Sequence, residues 1–157
     1  MAGHEQHYIM PRAEFDKPVK ILIVVSPYYK DIADNMVAGA VAEIEAVGGT
    51  YEIVEVPGAL EIPTAIGIAD RKSNFDGYVA LGCVIRGETS HYDYVCGESA
   101  RGLMDLSLSG IPVGNGILTV ENIKQARARA HVSEKNKGGD AANAALAMLA
   151  LKRRFEA

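Results

Sequence analysis

Four short apolar runs, each followed by a stretch of helical periodicity, leave this chain few architectures. The first, Lys20–Ser26 (KILIVVS), is continuous and β-branched, as a strand covered on both faces should be. From Asp31 the pattern turns helical, with Ile32, Met36, Val37, Ala40, Ile44 and Val47 close to one stripe, and Gly48-Gly49 ends it. The second run, Thr50–Val56, leads into Pro57-Gly58-Ala59-Leu60-Glu61 and a helix reaching Arg71. The third, Gly77–Ile85, precedes a helix over His91–Ser109. The fourth, Val113–Thr119 (VGNGILT), carries two glycines that imply close approach of another backbone. A helix over Glu121–His131, a polar loop over Val132–Gly139 and an Ala-rich helix capped by Asp140 complete the pattern. Strands alternating with helices specify an α/β fold: a three-layer αβα sandwich, flavodoxin-like, around a four-stranded parallel sheet.

The polar, aperiodic residues 1–17 read as a flexible N-terminal arm, and 18–157 as a single domain. His4 and His7 lie in the arm and read as surface histidines; no metal site is expected. A net charge of −4 without a basic cluster argues against nucleic-acid binding, since Lys152-Arg153-Arg154 simply suits a helix C-terminus. Ile21–Val25 is far too short to span a membrane. Cys83 and Cys96 have neither metal-ligand spacing nor the numbers for a disulfide framework, and a cytoplasmic location follows as the expectation.

Parallel sheets bind ligands beyond the carboxyl ends of their strands. That rule gathers Tyr28-Tyr29, Pro57–Glu61, Arg86–His91 and the end of VGNGILT at one edge. Arg86-Gly87-Glu88-Thr89-Ser90 joins a strand to a helix N-terminus, where free N–H groups, the Thr89 hydroxyl and the helix dipole favour an anion. Gly87 lets the backbone approach a phosphate closely. His91, within one turn, has an imidazole suited to proton transfer near neutral pH. Tyr28 can stack on a planar ring, Gly58 and Ala59 offer backbone groups, and Glu61 can accept from hydroxyls.

The succession VPGALEIP, ALGCVIRGETSHYDYV, NGILTVEN, RARA and NKGGDAA resembles the 6,7-dimethyl-8-ribityllumazine synthase family over roughly residues 20–152. The resemblance implies condensation of 5-amino-6-(D-ribitylamino)uracil with 3,4-dihydroxy-2-butanone 4-phosphate, with loss of phosphate and water and without a metal or organic cofactor. It places Tyr28 against the pyrimidine ring, Ala59 and Glu61 on the ribityl chain, and Gly87, Glu88 and Thr89 around the phosphate, Glu88 through its N–H. It makes His91 the proton-transfer residue, Arg129 a phosphate ligand and Lys137 a neighbour of the ring's polar edge. Gly58, Val84, Ile85 and Asn115 complete the substrate-binding set. Asn115 stands where familiar members of the family carry a phenylalanine on the second wall of the ring pocket, and Tyr29 where an asparagine is common. A non-catalytic lumazine- or flavin-binding protein of the same fold is the alternative.

In this family Arg129 and Lys137 would reach the site from a neighbouring subunit, so the resemblance implies a homopentamer with interfacial sites. His131–Asn136 contains no glycine for a sharp bend, and on that ground the expectation is isolated pentamers, or pentamers pairing weakly into decamers, rather than a shell.

Overall fold

The computed structural model describes residues 7–157, so His4 lies outside the described residues. Strands β1 (Lys20–Val25), β2 (Thr50–Glu55), β3 (Gly77–Ile85) and β4 (Val113–Val120) pair in parallel in the order β2-β1-β3-β4. Helices α1 (Lys30–Ala46), α2 (Ile62–Lys72), α3 (His91–Leu108), α4 (Ile123–Ala130) and α5 (Lys137–Glu156) cover the two faces. This is the three-layer αβα arrangement expected from the sequence. From β1 the chain winds outward to β2 on one side and then to β3 and β4 on the other, so the strand order switches between β1 and β3, the crevice where flavodoxin-like sheets accept ligands.

Side-chain alternation along the strands divides the interior. Ile21, Ile23, Val25, Val79 and Leu81 face α1, α4 and α5, where they meet Ile32, Met36, Ala126 and Leu146. Leu22, Val24, Tyr78 and Ala80 face α2 and α3 and meet Ile62, Ile66 and Leu103. Gly48 ends α1 with φ +77°, the left-handed conformation that a helix-terminating glycine supplies without steric cost.

The glycines of β4 do mark a close approach. A Cβ on Gly114 would overlap the Ala141 carbonyl oxygen, and one on Gly116 would lie 2.9 Å from Ala141 Cβ, so α5 rests almost directly on the strand. The same closeness corrects the reading of α5. Gly138 and Gly139 are buried helical residues and not loop, because a Cβ on Gly138 would overlap the Met36 carbonyl oxygen of α1. The cap is Asn136, whose Oδ1 accepts from Gly139 N–H at 3.3 Å; Asp140 already lies inside the first turn. Asn136 also adopts φ 45°, a left-handed conformation that asparagine tolerates better than most residues. The bend between α4 and α5 therefore uses positive φ without glycine, which removes the ground on which a shell was set aside.

Residues 7–17 form no helix or strand. Arg12 Nε lies 2.7 Å from Glu43 Oε2, and Phe15 packs against the core on the α1 and α5 side. Tyr8, Ile9 and Met10 are exposed. No helix among the described residues is long and apolar enough to cross a membrane.

Candidate active site

Three strand ends build one cleft, with a volume of ≈ 470 Å³. Ser26, at the end of β1, is buried; its Oγ donates to the Pro57 carbonyl at 3.4 Å and its N–H to the Leu81 carbonyl at 2.9 Å. Those bonds tie the ends of β1, β2 and β3 together and form the floor. Tyr28 follows and stands 76% exposed at the mouth, with Tyr29 edge-to-face against it at 5.1 Å. Beyond β2, Gly58 and Ala59 open a 3-10 turn (Ala59–Glu61) that places Glu61 at the cleft. The carboxylate of Glu61 curls back over that turn, and a Cβ on Gly58 would sit 3.1 Å from its Oε1. Val84 and Ile85, at the end of β3, supply an apolar wall, and His91 closes the cleft from the first turn of α3.

Cys83 also lines this cleft, a position the sequence reading did not single out. Burial pushes its thiol up to about 11, with the Asp31 carboxylate acting in the same direction. Near neutral pH it is protonated, so it is an apolar wall and not a nucleophile. Among the described residues no group of three or more His, Cys, Asp or Glu side chains could hold a metal ion.

The turn before α3 is organised by its own side chains. Thr89 Oγ1 accepts from His91 N–H at 3.3 Å, so Thr89 orders the helix start, while Ser90 provides no side-chain cap. Among the described residues no protein acceptor takes the N–H groups of Gly87, Glu88 or Thr89, which remain available to an anion. Arg86 anchors the turn: Nε lies 2.8 Å from Glu121 Oε2, Nη1 3.4 Å from Asp93 Oδ1, and the guanidinium stands 4.3 Å from the Tyr92 ring centre. Glu121 foremost, then Asp93, raises the Arg86 pKa further. The sequence places Arg86 in this turn but does not reveal its anchoring role, because its partners lie on α3 and in the turn after β4.

Asn115, Arg129 and Lys137 do not join the first cleft. They line a second one of ≈ 330 Å³ between β4, α4 and α5, together with Thr119 and Asp140. Arg129 Nη1 donates to the Gln125 carbonyl at 3.1 Å, and Lys137 Nζ lies 3.5 Å from Asp140 Oδ2. Asn115 Oδ1 accepts from Ile117 N–H at 2.9 Å. The end of VGNGILT thus serves a different cavity from the other three segments, because β3 stands between β4 and β1 in the sheet.

A parallel sheet in this strand order, with an aromatic and a carboxylate in a crevice at its carboxyl edge, defines a ligand-binding protein of the flavodoxin-like α/β class. Comparison with known proteins narrows the class. The profile of the 6,7-dimethyl-8-ribityllumazine synthase family matches residues 18–153, and the chain belongs to that family. It is 54% identical over 158 residues to a 6,7-dimethyl-8-ribityllumazine synthase of Jannaschia sp., covering 100% of this chain and 88% of the relative. It is 64% identical over 140 residues to that of Methylorubrum populi, covering 85% of this chain and 83% of the relative. With 6,7-dimethyl-8-ribityllumazine synthase 1 of Rhizobium meliloti the identity is 56% over 147 residues, covering 90% and 96%.

Proposed function

We propose that this chain is a transferase of riboflavin biosynthesis, condensing 5-amino-6-(D-ribitylamino)uracil with 3,4-dihydroxy-2-butanone 4-phosphate to 6,7-dimethyl-8-ribityllumazine, phosphate and water. Family membership supports the reaction. The observation that carries the arrangement of the site is the separation of its chemistry: His91 and Glu61 line one cleft, Arg129 and Lys137 another. A homopentamer in which the second cleft of one subunit faces the first cleft of the next unites the two. Such a head-to-tail contact closes into a ring when the rotation allows. The proposal extends to the ring alone, built from 18–157 as one domain.

In this reading Tyr28 stacks on the pyrimidine, and Gly58, Ala59 and Glu61 take the ribityl hydroxyls. Val84 and Ile85 pack beside the ring, with Asn115 and Lys137 at its other edge. The amine of the pyrimidine attacks the ketone of the butanone, and His91 moves the protons that imine formation and tautomerisation require. The free N–H groups of Gly87, Glu88 and Thr89, with Arg129, hold the phosphate as its bond to carbon breaks. Holding both substrates in register removes much of the entropic barrier. A non-catalytic pyrimidine or flavin binder would need neither Arg129 nor the anion turn.

Mixing both substrates with the protein and following lumazine fluorescence tests the reaction; no signal above the uncatalysed rate overturns it. Mixing refolded His91→Ala chains with Arg129→Ala chains tests the sharing, because a mixed ring rebuilds some sites from two intact halves. Activity no greater than the sum of the two variants overturns the shared site.

A further inference from the structure

Tyr28 stands 76% exposed at the mouth of the first cleft, and a ring so exposed makes a poor stacking platform unless something holds it. What restrains it is its neighbour. Tyr29 lies half-buried, packs against the core between the sheet and α1, and meets the Tyr28 ring at 5.1 Å with 76° between planes. Its backbone is equally fixed, since the Tyr29 carbonyl accepts the Ala33 N–H at 2.9 Å and the residue forms the N-cap of α1. Burial raises the Tyr29 hydroxyl above the ordinary phenol range, with smaller contributions from Cys83 and Tyr28, as befits a ring seated against the protein.

We infer that Tyr29 is a positioning residue for substrate binding: its anchored ring holds Tyr28 edge-to-face in the orientation that stacks on the pyrimidine. The inference rests on the site proposed above. It assigns to the aromatic pair a role that the resemblance does not imply, because asparagine is common at that position in the family. The ring edge, and not the hydroxyl, carries the effect. Tyr29 acts on the pyrimidine only through Tyr28 and has no part in proton transfer or phosphate release.

A double-mutant cycle on the full-length protein separates the possibilities. Tyr29→Leu keeps apolar bulk against α1 and removes the ring, and Tyr29→Met does the same should the leucine variant fold poorly; melting curves establish which is used. The expected result is a KM for 5-amino-6-(D-ribitylamino)uracil raised about 3- to 10-fold, the range that an aromatic pair supplies. The kcat should stay within about twofold, as expected when only uniform binding is lost. Tyr29→Phe should restore wild-type values, and Tyr28→Ala combined with Tyr29→Leu should match Tyr28→Ala alone. Additive losses in the double variant would mean that Tyr29 touches the substrate itself, which overturns the inference. So would an unchanged KM in Tyr29→Leu beside a raised one in Tyr28→Ala, which leaves the site reading intact. An unchanged KM in Tyr28→Ala would overturn the site reading and the inference with it.

Discussion

The two clefts on opposite sides of β3 differ in kind. Among the described residues the first, ≈ 470 Å³, is walled by aromatic and aliphatic side chains and contains one carboxylate and one imidazole but neither lysine nor arginine. The second, ≈ 330 Å³, contains Arg129, Lys137 and the Asp140 carboxylate beside hydroxyl and amide groups, with no aromatic ring among the described residues. One can hold a flat neutral heterocycle and move protons; the other can hold an anion. A condensation that expels phosphate requires both. In the proposed reading the difference divides the chemistry by cleft: Tyr28, Glu61 and His91 of the first serve the ring and its protons, while the second brings the cationic groups, Arg129 to the phosphate and Lys137 to the ring's polar edge. A single chain keeping them apart is what makes assembly part of the proposed mechanism.

The sharpest test of that division is His91. General acid–base catalysis typically contributes about 10²- to 10⁴-fold, so His91→Ala should lower kcat by that order and leave pyrimidine KM nearly unchanged. Steady-state kinetics check this, and an intact kcat would reduce the first cleft to a binding pocket. Arg129→Ala should have the next largest effect. Losing a charge-assisted bond to phosphate costs about 1.5–3 kcal/mol, so KM for the butanone phosphate should rise on the order of 10- to 100-fold while that for pyrimidine holds. Equal weakening of both substrates would dissolve the distinction between the clefts.

Tyr78 provides the smallest effect and a control, since it lines neither cleft. Its hydroxyl is buried without a hydrogen-bond partner among the described residues, and burial raises its pKa from 10.0 to about 12. A raised folded-state value means the folded protein holds this proton more tightly. Its contribution is present in full below about pH 10 and disappears as pH climbs through about 12. Tyr78→Phe should therefore flatten the alkaline limb of a melting-temperature profile. At neutral pH it should leave stability equal or raise it by up to about 1 kcal/mol, because an unsatisfied hydroxyl leaves the core. Kinetics should not change.

Much of the fold was legible because its strands are simple. Gly77–Ile85 has the bounds the sequence suggests, since an unbroken apolar run between polar segments has no competing reading. The start of α5 was not legible. Gly138-Gly139 looks like loop by propensity, and only the main chain of α1 pressing on Gly138 explains why two glycines belong inside a helix. For the candidate site, the strand-end rule gathers Tyr28, Glu61 and His91 correctly into one cleft. It fails for the end of VGNGILT, whose Thr119 lines the second cleft, because strand order is a long-range property that local periodicity does not encode. Ser26 and Cys83 escaped notice for a related reason: each is an ordinary small residue until the neighbouring strand end is known.

The clasp between α5 and its supports has a consequence for how this protein tolerates change. Where Gly114 meets Ala141 and Gly138 meets Met36, main chain touches main chain, and no side chain stands between them to repack. A protein core ordinarily absorbs a substitution by shifting rotamers, but these junctions have none to shift. The helix that begins at Lys137 is thus held as an unadjustable part, while Asn115, exposed on the open face of β4, is a free variable. Under the proposed site, selection or engineering that seeks a different heterocycle has room at Asn115 and almost none at Gly114.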